Sequence, residues 1–273
     1  MKTRDVECIA IPLAANADFA DNISSAQQPI ELTQQTLQAI FQHATAAQIA
    51  RFHAPLLATM ATAQINTPLR QAHFLAQVGH ESGELRYTEE LASGAAYEGR
   101  KDLGNTQPGD GKRFKGRGLI QLTGRANYTA FGASIAQDLC TGDTPTRVST
   151  DPALCVAAAT WFWTTHSLNA LADRDDLQAI TRTINGGTNG LQDRQRLLDR
   201  AKQLLLPAVQ RVLPPTSQPV ALSEHSHKSA NSEGKTHTNP HQSGVVKAIH
   251  ATAWSRANRL IAPTNQKRQT LTL

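Results

Sequence analysis

The sequence predicts a mainly α-helical domain with a short β element, followed by a disordered C-terminal tail. Three observations support this prediction. Apolar residues recur at three- to four-residue spacing, helix-start and helix-stop signals border those segments, and the end of the chain is rich in small polar residues and low in bulky apolar ones. We therefore divide the chain into a loose N-terminal segment (1–30), a helical domain (31–213) and a basic, mostly disordered tail (214–273).

The first helical pattern extends over residues 33–64, with apolar side chains on one face. Pro55 lies inside this pattern and lacks the N–H that an interior helical residue donates, so we expect a first turn or a kink there. The next helix begins at Thr67-Pro68, an N-cap residue followed by proline at the first helical position. It ends at Glu81, because Ser82-Gly83 supplies a stop signal.

A glycine-rich stretch and a short alternating segment follow this helix. Residues 82–118 contain eight glycines among many charges, which predicts a long loop, and long loops in compact domains are usually functional. Residues 119–123 alternate, which predicts a short strand with Gln121 and Thr123 on one face. A polar face opposite an apolar one suits the wall of a cleft, and it equally suits any half-exposed strand.

The second half of the domain has the pattern of four more helices. Aromatic residues 161–163 belong to the second of them, and we expect two of the three to lie in the core. A short basic amphipathic helix could form in the tail at about 245–261. The four predicted helices cover Ala126–Ile135, Ala153–His166 after the start signal Asp151-Pro152, Asp176–Asn185 before a Gly-Gly stop, and Leu191–Leu205 before Pro207.

The net positive charge of the chain is confined to its tail. Residues 1–214 contain 20 Lys and Arg against 20 Asp and Glu, whereas residues 215–273 contain seven against two. The balanced domain argues against nucleic-acid binding, and it favours a solvated loop over a nucleic-acid patch for a cluster of cations at Lys112, Arg113, Lys115 and Arg117. The tail could bind an anionic wall or membrane surface, or it could be a solvated linker.

The cysteines and the apolar segments exclude several further classes of protein. Three cysteines are too few for a disulfide framework, and Cys140 and Cys155 could form a bridge or remain free thiols. The sequence has no Cys/His cluster for a metal, so we predict no metal and no cofactor. We recognise no signal peptide, and no segment approaches the 18 or so apolar residues of a membrane span.

Glutamates near the end of the helix at 68–81 are candidates for acid–base chemistry. If the helix continued, Glu90 would lie about 13.5 Å from Glu81 along the axis at about 1.5 Å per residue. Paired carboxylates that cleave a glycosidic bond lie about 5–9.5 Å apart. A chain that leaves the helix at Gly83 and doubles back could bring Glu89 or Glu90 across a cleft from Glu81. The alternative is that these glutamates are solvated surface charge.

Four sequence blocks together resemble glycoside hydrolase family 19, which includes plant chitinases and related bacterial and phage endolysins. The resemblance covers about residues 35–206, and the blocks follow the order that the family has. They are 80–83 (His-Glu-Ser-Gly), 87–90 (Tyr-Thr-Glu-Glu), 116–128 (from Gly-Arg-Gly to Asn-Tyr) and 180–187 (Ile-Thr-Arg-Thr-Ile-Asn-Gly-Gly).

The resemblance implies a two-lobed, lysozyme-like helical domain that cleaves β-1,4 bonds between N-acetylated amino sugars with inversion. Glu81 matches the general acid of the family and Glu90 its general base, with Glu89 as the alternative base. Thr123 matches a residue that holds the attacking water. The residues that the resemblance implies for substrate binding are Gln121, Asn127, Tyr128, Asn185 and Arg194.

The sequence departs from the plant members in its short loop after Glu81 and in Thr188-Asn189, where those enzymes have an acid. We therefore expect peptidoglycan as the substrate, with chitin as the alternative and an inactive carbohydrate-binding protein as a second one. We expect a monomer that is made in the cytoplasm and acts on the cell wall after release or non-classical export. We expect no nucleic-acid partner.

Overall fold

Helices make up most of residues 32–206, the part of the chain that this computed structural model describes. The predicted N-terminal segment and tail, including the helix at about 245–261, lie outside the described residues. Three short 3₁₀ turns lie at Ala95–Tyr97, Lys101–Leu103 and Thr144–Thr146. The helices are α1 (Gln34–Ile40), α2 (Ala46–Thr62), α3 (Pro68–Ser82), α4 (Asp110–Arg113), α5 (Arg125–Ser134), α6 (Arg147–Thr150), α7 (Pro152–Thr165), α8 (Leu168–Ala172), α9 (Leu177–Asn185) and α10 (Leu191–Leu205).

The predicted start and stop signals act as expected. The side chains of Thr67, Asp151 and Asp176 each accept a hydrogen bond from a backbone N–H in the first turn of α3, α7 and α9. Gly83 and Gly186 end α3 and α9 in the left-handed conformation, with φ of 59° and 75°. These local signals therefore define both ends of the helix that carries Glu81.

The first predicted helix is divided at a different point from the one that proline suggested. The break lies between α1 and α2, at residues 41–45, and Pro55 lies inside α2. Thr45 and Gln48 form a capping box, in which each side chain accepts a hydrogen bond from the backbone of the other. This reciprocal cap starts a new helix at Ala46, and α2 accommodates Pro55 in its interior.

The strand predicted over 119–123 is wrong. Residues 118–121 form a turn between two bridge residues, and no strand is present within residues 32–206. Gly118 and Gln121 have φ of 80° and 59°, which are incompatible with an extended chain. Arg117 and Leu122 exchange backbone hydrogen bonds of 3.1 and 2.7 Å across the turn, so the β element consists of isolated antiparallel bridges.

Two hydrophobic cores confirm the prediction of a mainly α, two-lobed domain. The larger core contains side chains from α1–α3 and α7–α10, and the smaller one contains Phe114, Leu122 and residues of α5 and α7. Helix α7 contributes to both cores because it is apolar around most of its circumference. As expected for residues 161–163, two of the three aromatic side chains are buried, namely Phe162 and Trp163.

Two of the cysteines lie among the described residues, and both are unpaired. Cys140 and Cys155 are free thiols, the first half-buried and the second buried, and burial raises the pKa of Cys155 to about 12. Among the helices that the structure describes, none is long and apolar enough to cross a membrane.

Candidate active site

Glu81 lies in the last turn of α3 and forms a buried ion pair with Arg194 of α10. A terminal nitrogen of Arg194, Nη2, donates to Oε1 of Glu81. Only 2% of the Glu81 side chain and none of the Arg194 side chain is exposed. Helices α3 and α10 pack along each other, which brings together two residues that are 113 positions apart in the sequence.

Arg194 is held by further contacts on the side away from solvent. Its Nη1 donates to Oε1 of Gln77, one turn before Glu81 on α3, and its Nε donates to the carbonyl of Asn189 at 3.5 Å. Gln77 in turn donates to the hydroxyl of Thr181 at 3.4 Å. The side chain of Arg194 has no exposed surface and is bonded to Glu81, Gln77 and Asn189, so it orients Glu81. Its contact with substrate stays a prediction.

Asn185 lies at the end of α9 beside this network and is 2% exposed. Its Nδ2 donates to the carbonyl of Asn189 at 3.3 Å, the same oxygen that Arg194 contacts. Its buried Oδ1 has no hydrogen-bond partner among the described residues. Asn185 therefore lies at the edge of the Glu81–Arg194 network.

The chain leaves the axis of α3 through three consecutive left-handed residues. Gly83, Glu84 and Leu85 have φ of 59°, 56° and 68°, and only the first is a glycine. The carboxylate of Glu84 accepts hydrogen bonds from the backbone N–H of His43 at 2.6 Å and from its ring Nδ1 at 3.0 Å. These contacts tie the strained turn to the segment between α1 and α2.

Glu90 is oriented by two donors from different parts of the loop. The hydroxyl of Tyr97 donates to Oε1 at 3.0 Å, and the backbone N–H of Gly116 donates to Oε2 at 3.2 Å. The backbone N–H of Glu90 donates to the carbonyl of Gly116 at 2.9 Å. Burial first, and then the charge and hydrogen bond of Glu90, raise the pKa of Tyr97 above its ordinary range, so the phenol remains a donor.

Glu89, the alternative base, has a different environment. Its carboxylate pairs with Nε of Arg117 at 3.1 Å and with Nζ of Lys115 at 3.2 Å, and 41% of its side chain is exposed. Glu89 also forms a backbone bridge with Arg117. Two cations neutralise Glu89, whereas the carboxylate of Glu90 accepts hydrogen bonds from neutral donors.

Gln121, Thr123 and Asn127 lie in or just after the turn at 118–121, close in sequence to Gly116, which is bonded to Glu90. A Cβ at Gly116 would lie 3.0 Å from Oε1 of Gln121 and 3.4 Å from Oε2 of Glu90, so this glycine separates the two polar groups. The hydroxyl of Thr123 donates to the carbonyl of Gln121 at 2.8 Å, and Nδ2 of Asn127 donates to the carbonyl of Thr123 at 2.8 Å. The structure thus brings these three residues together as a chain of contacts.

Tyr128 does not belong to this chain of contacts, and its contact with substrate stays a prediction. The side chain is fully buried in the smaller core. Its hydroxyl donates to the carbonyl of Lys115 at 2.9 Å and accepts from Nη1 of Arg117 at 3.2 Å. It supports the loop that carries Lys115 and Arg117.

Two contacts in the site were missed by the sequence analysis. Gln77 precedes Glu81 by four residues, and this spacing places it on the same face of α3, which was a usable signal. Tyr97 lies in a 3₁₀ turn of the long loop, and nothing in its sequence context indicates a contact with Glu90. Among the described residues, no group of three or more His, Cys, Asp and Glu side chains could hold a metal ion.

The chain is similar to known proteins in both sequence and structure. The model of glycoside hydrolase family 19, described as chitinase class I, matches residues 43–187. A glycosyl hydrolase family 19 domain-containing protein of Haemophilus influenzae is 30% identical over 197 residues, which cover 61% of this chain and 93% of that protein. The acidic 27 kDa endochitinase of Solanum lycopersicum is 41% identical over 96 residues, which cover 34% of this chain and 36% of that enzyme.

A solved structure is similar over most of its length. Chitinase C from Streptomyces griseus superposes with a TM-score of 0.53 at 25% identity, and the match covers 66% of this chain and 95% of that one. The chain thus matches the bacterial proteins over almost their whole length, whereas it spans just over a third of the plant enzyme.

Proposed function

The chain belongs to glycoside hydrolase family 19 and is a glycoside hydrolase of the chitinase type, and we propose that its substrate is peptidoglycan. In this proposal it cleaves β-1,4 bonds between N-acetylated amino sugars with inversion at the anomeric carbon. The observation that carries the proposal is the pair of differently held carboxylates, Glu81 on Arg194 and Glu90 between Tyr97 and Gly116.

Glu81 is the general acid in this mechanism. The ion pair with Arg194 favours the ionised form of Glu81, so Glu81 takes up a proton from solvent before each cleavage. When it gives that proton to the leaving oxygen, the buried guanidinium of Arg194 stabilises the carboxylate that results. Because Arg194 is also bonded to Gln77, it is fixed before the reaction and need not reorganise.

Glu90 is the general base, and it removes a proton from the attacking water. An ionised carboxylate offers about four acceptor positions, and here one hydrogen bond reaches each oxygen. Positions therefore remain for a water molecule. We propose that the amide of Gln121 and the hydroxyl of Thr123, which lie on the adjoining turn, help to position that water and the sugar.

Peptidoglycan is favoured over chitin by the short segment between the two glutamates. Peptidoglycan carries a peptide stem on every second sugar, and a substrate with side branches needs an open rim. Only residues 82–89 separate Glu81 from Glu90 in the sequence. Hydrogen bonds within this segment keep it compact, including one of 2.8 Å from the N–H of Tyr87 to the carbonyl of Ser82. Chitin is the second candidate because similar proteins include an endochitinase and chitinase C.

The proposal is tested by incubating the protein and its Glu81→Gln variant with bacterial sacculi and with chitin, and by measuring new reducing ends and identifying products by mass. We expect wild-type protein to release muropeptides and Glu81→Gln to release none while it still binds sacculi. Asp199→Asn, an exposed substitution on α10, is the matched control and should retain activity. Release of chitin oligomers alone would overturn peptidoglycan as the substrate, and binding without turnover by the wild type would indicate a carbohydrate-binding protein.

A further inference from the structure

An open pocket of about 290 Å³ lies on the smaller lobe beside the segment that carries Glu90. Lys112 and Arg113 of α4 form one side of it, and Gly142, Asp143 and residues of the following 3₁₀ turn form the other. Arg117, which pairs with Glu89, also lines the pocket. The pocket therefore lies next to the residue that precedes the proposed base.

The cation cluster at 112–117 is divided in two by the fold. Lys115 and Arg117 are committed to Glu89, and Arg117 is 4% exposed. Lys112 and Arg113 are exposed at the pocket, where one guanidinium nitrogen of Arg113 donates to the carbonyl of Cys140 at 3.3 Å. A guanidinium has five N–H donors, so Arg113 retains donors for a ligand.

The charge and space in the pocket suit a small anionic group. Asp143 is the one acidic residue among those that line the pocket, against the exposed cations Lys112 and Arg113; the charge of Arg117 is already paired with Glu89. A Cβ at Gly109 or at Gly142 would meet no atom within 4 Å, so the rim is open on both sides. The volume is at the lower end of the roughly 300–1,000 Å³ of small-molecule pockets, which fits the end of a short peptide better than a length of polymer.

We propose that this pocket binds a carboxylate of the peptide stem of peptidoglycan, and that Lys112 and Arg113 are its ligands. The inference rests on the proposed function. Chitin has no peptide stems and no carboxylates, so the pocket would distinguish the two candidate substrates. The sugar from which a stem extends would lie along the segment of Glu90, one residue from the Glu89–Arg117 pair that borders the pocket.

The experiment uses the full chain carrying Glu81→Gln, a substitution that prevents turnover. It compares the glycan affinity of this protein with that of the same protein carrying the additional double substitution Lys112→Ala/Arg113→Ala. The probes are sacculi free of teichoic acid, the same glycan after an amidase has removed its stems, and chitin hexamer. The amidase leaves the lactyl carboxylate of each muramic acid on the sugar, so the second probe separates that carboxylate from those of the stem. We expect the double substitution to weaken binding to intact sacculi about tenfold, as two charge-assisted contacts would predict, and to leave the two stem-free probes unaffected. Lys101→Ala/Arg174→Ala removes the same charge from exposed positions outside the pocket and should have no effect.

Equal affinity of the two forms for intact sacculi would overturn the inference, and so would an equal loss on all three probes. Duplex DNA is included as a fourth probe, and loss of DNA binding with unchanged binding to sacculi would overturn the inference in favour of a nucleic-acid site. Failure of the proposed function is separate, because it would be seen as the absence of wild-type cleavage of both intact and stem-free glycan. Folding of each variant is checked by its thermal unfolding midpoint.

Discussion

Arg194 and Glu81 form an ion pair that is almost completely removed from solvent, with side-chain exposures of 0% and 2%. The two residues come from α10 and α3, so the pair links the last helix of the described residues to the helix end that carries the proposed acid. A buried guanidinium must have all its charge satisfied, and here Glu81, Gln77 and the Asn189 carbonyl share that task. The pair therefore affects both the stability of the fold and the charge on the Glu81 carboxyl group, and mutations can test the two effects separately.

Arg194→Met should destabilise the protein by about 3–5 kcal/mol, because it leaves the Glu81 carboxylate buried without its cation. Urea denaturation measures this change. Arg196→Met is the matched control on the same helix, since Arg196 is 70% exposed and its pair with Asp193 should contribute about 0–1 kcal/mol. Similar losses for the two variants would contradict the assignment of Arg194 to a buried network.

Glu90→Gln should lower kcat by about 10²–10⁴-fold, as expected for loss of a general base, while Glu89→Gln should keep most of the activity. The reason is that Glu89 already pairs with Arg117 and Lys115, whereas Glu90 accepts from the neutral donors Tyr97 and Gly116. Release of reducing ends from sacculi provides the rates. The reverse result would make Glu89 the base and would shift the match to the family by one residue.

Stability should decrease as the pH rises above about 10 because Tyr97 and Tyr128 have pKa values above the ordinary 10.0 in the folded protein. Burial is the main cause for both. The unfolded chain releases these protons near pH 10 while the folded chain retains them, so each raised tyrosine should lower stability by about 1.4 kcal/mol per pH unit above that point. Denaturant midpoints between pH 8 and 11 measure the slope.

Tyr97→Phe and Tyr128→Phe should each make this slope shallower, since phenylalanine has no proton to release. Each substitution also removes a hydrogen bond, so stability at pH 8 will change as well and the comparison must be of slopes. A slope that neither substitution alters would show that other groups control the alkaline transition.

The parts of the fold that have a local cause could be predicted most accurately from the sequence. Thr67, Gly83 and Asp151 each act within one helical turn, so the ends of α3 and the start of α7 could be read directly. The turn at 118–121 could not, because five alternating residues are also compatible with a tight turn when Gly118 and Gln121 are left-handed. Gly118 preceded the predicted strand and was the signal that could have prevented this error.

In the candidate site, too, the residues defined by local signals could be predicted and their long-range partners could not. Glu81 could be placed at a helix end from the sequence, and its partner could not, because Arg194 lies 113 residues away on a helix with many charged residues. An arginine in such a helix is usually solvated, and only the packing of α3 on α10 buries it. The environments of Glu89 and Glu90 likewise depend on the fold of the whole loop, since their partners come from residues 97 and 115–117.

Gly190→Ala should be more destabilising than Gly142→Ala, although both glycines are left-handed, with φ of 71° and 50°. A Cβ at Gly190 would lie 2.3 Å from Cε1 and Nε2 of His80, and the ring cannot move freely because its Nδ1 is bonded to Asp193 at 2.6 Å. A Cβ at Gly142 would meet no atom within 4 Å. Gly142→Ala should therefore cost only the backbone strain of about 1–2 kcal/mol, and Gly190→Ala about 1–3 kcal/mol more.

Urea denaturation of the two variants gives the comparison. Because His80 precedes Glu81, Gly190→Ala should also reduce kcat. Equal costs for the two substitutions would mean that the segment before α10 can move away from His80.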